Sequence, residues 1–414
     1  MPAIINADPR QYTVIAMSKK GILLIGAIIF GLAMVVQLVF NLTSVGADEM
    51  RLVNTNIGVS YAIDSSPSFH SNSGRFFYLS TRTGVRGIND RGESRWNESV
   101  SLTRPHMATR GDIAAVGDTD RGRAIYVYNT DGLLYFETLD NPMLGFFVNA
   151  TGYLSVIVET VAGFEVMVFN QLRRFEPLFR KQIAQNDRPM QIPVATDVSE
   201  DGRFVAIAYL DLYRHLTTAV EIWLVDQSEA PWGTDGLLAQ KIFADEALIS
   251  MRFMADNHVL VITESQVALI QVGGNAHLEE VWAQPLHNRL DQLAFCGNER
   301  FAYVSGAATS PDGRNADPVG TVNIFDLSGL TGRFYLGRRA THLSMGNNAV
   351  IVGADRYFHA VNSRGARLWH HIALHDVRDM VFLNDTDTVL IAGPTRAYVW
   401  RRQRVREGQR LGED

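Results

Sequence analysis

His370, His371 and His375 are the tightest group of imidazoles in this 414-residue chain, and imidazole is a common ligand for zinc. Successive residues of an extended strand point to opposite faces, so His370 and His371 do not share an ion if 368–374 is extended. They then read as rim histidines. Asp118 with Asp120, and Asp385 with Asp387, set carboxylates two apart, the opening spacing of a calcium loop. Neither stretch supplies the further ligands, and turn capping accounts for both. Cys296, the only cysteine, follows Leu293-Ala294-Phe295 and reads as a small buried apolar residue. One cysteine excludes an intramolecular disulfide, C-x-x-C-H haem attachment and cysteine-rich metal sites. G-x-S-x-G, H-E-x-x-H and phosphate-binding glycine loops do not occur. No catalytic residue, cofactor or metal site is assigned, although residues scattered over many repeats can still build a site that spacing does not reveal.

The segment that positions everything else is Gly21 to Phe40, twenty residues with no charge and one polar side chain, Gln37. As a helix it reaches about 30 Å, the thickness of a bilayer's hydrocarbon core. Lys19 and Lys20 precede it, which places the N-terminus in the cytoplasm by the positive-inside rule. Val45-Gly46-Ala47 resembles a signal-peptidase site, but the apolar run is longer than a signal core. The reading is a cytoplasmic tail over 1–18, a membrane span over 19–42, a linker over 43–55, an extracytoplasmic domain over 56–405 and a polar tail over 406–414. The bilayer is thus one expected partner, through 21–40. The net charge of −6, without a basic cluster, gives no support to nucleic-acid binding.

Beyond residue 55 the pattern is of short apolar strands in pairs. The first members are 76–80, 112–117, 153–159, 204–210, 259–263, 301–306, 349–353 and 389–393. The second members are 85–90, 124–129, 165–170, 220–226, 266–272, 321–326, 357–362 and 397–402. Their even pitch suits four-stranded propeller blades. The expected fold is an all-β, eight-bladed β-propeller, or seven-bladed if one weak unit is a loop. Closure would come from pairing the first and last chain segments in one blade, which removes exposed edges. The Gly/Pro/Asp-rich segments 228–240 and 307–320 read as protruding loops. Gly92, Gly132 and Gly365 fall in tight turns with Asn or Asp.

Two repeats add a tryptophan four residues beyond the turn glycine: Gly92 with Trp96, and Gly365 with Trp369. This resembles the tryptophan-docking repeat of quinoprotein-like propellers, where the indole packs between blades, and Trp282 is a degenerate third copy. Quinoprotein dehydrogenases of that superfamily bind a quinone with calcium, commonly under a vicinal disulfide that one cysteine cannot make. The whole arrangement is similar to a bacterial family of single-pass, membrane-anchored propellers, of the quinoprotein-like and WD-repeat-like superfamily, through Gly84–Ser99, Ala124–Gly132 and Asp197–Leu210. It also resembles in architecture the outer-membrane-assembly propeller that binds its partner by one rim. The resemblances imply a propeller at the inner membrane of a bacterium, facing the periplasm or exterior. They imply no catalytic residue.

The expected function is therefore a non-enzymatic interaction scaffold or accessory subunit of a cell-envelope complex. Its protein partner would meet Arg173, Arg174, Phe175 and Phe179 in one loop and Tyr213 and Arg214 in another, since arginine and aromatics concentrate in interface cores. The alternative is a sensor or enzyme for a small ligand or glycan in the central channel, which requires charged side chains to converge on the axis.

Overall fold

The computed structural model describes residues 50–404, apart from short segments at 63–67, 72–75, 90, 120, 173–175, 185–190, 212–215, 230–234, 256, 274–276, 310–314 and 384–386. The described strands form eight four-stranded antiparallel sheets, the blades of a β-propeller. The second strand of each blade (Phe76–Thr81, Ile113–Asp118, Leu154–Thr160, Phe204–Asp211, His258–Thr263, Arg300–Ala308, Ala349–Ala354 and Thr388–Ala392) and the third lie where the sequence pattern puts them.

Alternation explains why these strands are continuously apolar. In the second strand of blade four, Phe204, Ala206 and Ala208 enter the core shared with blade five. Val205, Ile207 and Tyr209, between them, enter the core shared with blade three. A strand sandwiched on both faces has no polar side. Each hydrophobic cluster of the ring spans two consecutive blades, for example blades one and two, five and six, or seven and eight. Stability is therefore spread round the ring, with each buried Val, Leu, Ile or Phe contributing about 1.5–3 kcal/mol.

Closure is as the sequence suggested. Blade eight is ordered Met50–Ser60, Arg396–Arg404, Thr388–Ala392, Asp379–Phe382, so the first strand of the ring covers its last. Thr55 Oγ1 donates to the Val399 carbonyl at 2.7 Å and Tyr61 N to Thr395 O at 2.9 Å. Residues 50–55 thus belong to a blade, not to the linker expected over 43–55. The loop expected over 228–240 likewise ends early, because an outer strand begins at Leu237. Residues 1–49, including the span expected over 19–42, lie outside the described residues, and no described helix is long and apolar enough to cross a membrane.

The first strand of each blade lines the axis: Ser68–Ser71, Pro105–Arg110, Met143–Val148, Gln191–Val198, Leu248–Met254, Asn288–Cys296, His342–Met345 and Asp379–Phe382. All run in the same direction, so the disc has two unlike faces. The entry face carries the crossovers between blades and the turns between second and third strands. The turn face carries the turns between first and second and between third and fourth strands. Met50 begins its strand on the turn face, because the partner strand Arg396–Arg404 starts beside Ser60 and Tyr61.

Candidate functional site at the central channel

The residues singled out from the sequence fall mainly on blade junctions. Trp96 stacks on Tyr128 of the next blade, centroids 5.1 Å apart, and its Nε1 donates to the Thr130 carbonyl at 3.1 Å. Trp282 does the same with Phe325 and the Leu327 carbonyl. Trp369 is buried in the cluster shared with Leu52 and Val389 of blade eight. All three sit at a β-bulge between third and fourth strands, which turns the indole towards the neighbour. Gly92 and Gly365 occupy the left-handed region (φ +77° and +80°), in turns capped by Asn89 and Asn362. A Cβ on Gly365 would overlap the Arg333 carbonyl of the preceding blade, whereas Gly132 (φ +133°) faces open space.

Of the proposed interface residues, Phe179 alone is among the described residues. Phe179 is 2% exposed and packs beside Trp223, because it is the first residue of an outer strand and not of a loop. Arg173, Arg174, Phe175, Tyr213 and Arg214 lie outside the described residues. Cys296 is half-buried instead of core, its thiol donating to Asn347 Oδ1 at 3.2 Å. His370 and His371 lie on one strand, where His371 meets the Trp400 ring edge-on; no metal-holding cluster occurs among the described residues.

What sequence reasoning missed is the axis. Near the turn face, Arg110 of blade two reaches across the channel. Its Nη1 donates to Asp197 of blade four, at 2.9 Å to Oδ2 and 3.2 Å to Oδ1, and its Nη2 to the Phe253 carbonyl of blade five. Nε lies 3.4 Å from Glu200 Oε1. Asp197 also accepts from the backbone N–H groups of Val198 (2.9 Å) and Phe253 (2.7 Å). Glu200 accepts from Ala150 N and Asn298 Nδ2, tying in blades three and six. Arg110 is 2% exposed, so this network fills the part of the channel between blades two, four and five.

Beside this network lies an axial cavity of about 330 Å³, walled by inner strands from six blades. Arg252 lines it, its guanidinium 4.6 Å above the Phe295 ring. Burial, and after it the nearby Arg110 charge, press the Arg252 pKa downward. A guanidinium answers such pressure by taking an anion, not by releasing its proton. Asp379 lines the same cavity; burial pushes its pKa up to about 6, against the opposing hydrogen bond from Met380 N. An isolated charge within an apolar strand, as in Ile249-Ser250-Met251-Arg252-Phe253, is the sequence signal that could have pointed here.

The entry face has a different character. The inner strands of blades three, four and five each carry a β-bulge, between Met143 and Gly145, Pro193 and Ala195, and Leu248 and Ser250. The extra residues are Leu144, Val194 and Ile249, exposed by 48, 40 and 44%. Blade six bulges at the equivalent place with Arg289. Exposed Val161, Val319, Tyr357, Ile372 and Leu374 lie on this same face.

These features define an eight-bladed propeller whose channel holds a charged network at one end and is rimmed with aliphatic side chains at the other. The chain belongs to a family of unknown function (DUF5711), whose model matches residues 60–398. No curated protein matches the sequence. Among solved structures, BamB from Moraxella catarrhalis is similar at 12% identity over 84% of this chain and 99% of that one, TM-score 0.46. The propeller domain of Cps50 (Swd1) from Myceliophteria thermophila is similar at 10% identity over 85% of this chain and 99% of that one, also at 0.46. Likenesses this distant say nothing of what the chain binds.

Proposed function

We propose that this chain is a non-enzymatic scaffold that binds a partner protein through its entry face, as an accessory subunit of a bacterial cell-envelope complex. The observation that carries the reading is the row of bulges in three consecutive inner strands, each presenting one exposed aliphatic residue: Leu144, Val194 and Ile249. A bulge adds a residue to one strand without disturbing its partner's register, and it re-aims the side chain. Adjacent apolar residues held on a rigid rim suit a partner segment with aliphatic anchors.

In this proposal residues 21–40 hold the chain in the inner membrane, with the ring outside the cytoplasm. The test is site-specific photo-crosslinking of the full chain in native membranes. Probes at 144, 194 and 249 are expected to capture the same protein, and a probe at Leu172, exposed on the turn face, is not. If Leu144→Glu with Ile249→Glu leaves crosslinking from 194 unchanged, the reading is wrong.

A further inference from the structure

We propose that the axial cavity binds a small zwitterion, an α-amino acid with an apolar side chain, its carboxylate on Arg252 and its ammonium on Asp379. The cavity, about 330 Å³, is of ligand size and lies at the axis, where a site can draw on many blades.

The argument rests on which charges are already satisfied. Arg110 is committed to Asp197, Glu200 and the Phe253 carbonyl, and both carboxylates accept further backbone or amide donors. The Arg252 side chain makes no hydrogen bond among the described residues: it lies over the Phe295 ring and feels the Asp197 and Glu200 charges without a bond to either, which leaves its N–H donors open. Asp379 accepts from Met380 N at 2.8 Å through Oδ1, and no cation pairs with it among the described residues. Ser344 lies on the same wall. A cation and an anion thus line one cavity without forming an ion pair.

A simple carboxylate would satisfy Arg252 but leave Asp379 facing a second negative charge. A simple amine would satisfy Asp379 but face Arg252. A dipolar ligand meets both, with the carboxylate gripped in the planar fork geometry that a guanidinium favours. Phe69, Leu293, Met345 and Phe382 supply the apolar remainder of the wall, which suits an aliphatic side chain.

Isothermal titration of the full chain in detergent tests this with L-leucine, 4-methylpentanoate (the same molecule without its amine) and 3-methylbutylamine (without its carboxylate). Leucine is expected to bind with Kd below about 1 mM, and each analogue at least about tenfold more weakly, a difference of about 1.4 kcal/mol. Asp379→Asn should weaken leucine by at least about tenfold and strengthen 4-methylpentanoate, which no longer faces a second negative charge. Arg252→Gln should weaken both. Asp379→Asn removes a poorly solvated carboxylate and is expected to fold, so it decides the matter even if Arg252→Gln does not. Absence of leucine binding, equal affinity for 4-methylpentanoate, or leucine binding untouched by Asp379→Asn would each overturn the assignment.

Discussion

Arg110→Met tests the channel network directly. The substitution keeps the length of the side chain but removes the cation that faces Asp197 and Glu200. Asp197 keeps its two backbone donors, yet its charge is left buried without a counter-ion. Breaking a buried pair in this way costs about 3–5 kcal/mol. The ring, Met50–Gln403, has about 350 residues, so at about 2.1 cal/mol/K per residue its unfolding entropy is about 0.7 kcal/mol/K. The expected fall in Tm is then about 4–7 °C. The double variant Arg110→Met, Asp197→Asn removes the stranded charge and keeps an acceptor for one of the two N–H groups. It should recover at least about half of the loss, read by circular dichroism on heating. A single variant within about 1 °C of the parent would refute the reasoning, as would a double variant no better than the single.

Gly365→Ala meets both an unfavourable φ and the Arg333 carbonyl, and should cost about 2–4 kcal/mol in urea unfolding, whereas Gly132→Ala, with nothing near its Cβ, should cost only about 1–2. Equal losses would show that the close approach between blades carries no weight. For pH, Asp379 has its native pKa raised to about 6, so the folded state holds a proton that the unfolded state releases above about 4. Stability from this group falls as pH rises from about 4 to 6, by on the order of 3 kcal/mol. His371 has the opposite sign: burial, then the nearby His370 charge, lower its pKa to about 4, and its contribution is lost as pH falls from about 6.5 to 4, by a similar amount. The parent should therefore vary little between pH 6 and 4, while Asp379→Asn should lose stability steadily on acidification; a flat profile for the variant would show that His371 titrates freely in the native ring.

The second and third strands of every blade were legible because each is pressed between two neighbours and must be apolar at every position. Val205-Ala206-Ile207-Ala208 has no alternative reading. The first strands were not legible, because one side of each faces the axis and tolerates polar or charged residues. Asn288-Arg289-Leu290-Asp291-Gln292 carries two register shifts and no clean alternation, so no period-two pattern survives in it. The arginine-rich loops drew attention by composition alone. Composition did not distinguish Phe179, an outer-strand core residue, from a loop aromatic. Arg110 and Asp197 lie 87 positions apart in the chain, and only the closed ring brings them together.

That division of labour bears on where function can sit in such a ring. A change in a second or third strand disturbs two cores at once, since its alternate residues serve opposite neighbours. A change at an axis-facing position of a first strand, such as Arg110 or Arg252, disturbs the channel wall and neither inter-blade core. Bulges at Leu144, Val194 and Ile249 add residues at the entry rim while the pairing of the following residues resumes unbroken. At the other end of the same strands, Arg110, Asp197 and Arg252 place charge on the axis without entering either inter-blade core. Arg110 spans blades two, four and five, and the axial cavity lies beside it against the remaining inner strands. If leucine binding changed crosslinking from position 249, those strands would have to move as rigid connectors between the two ends.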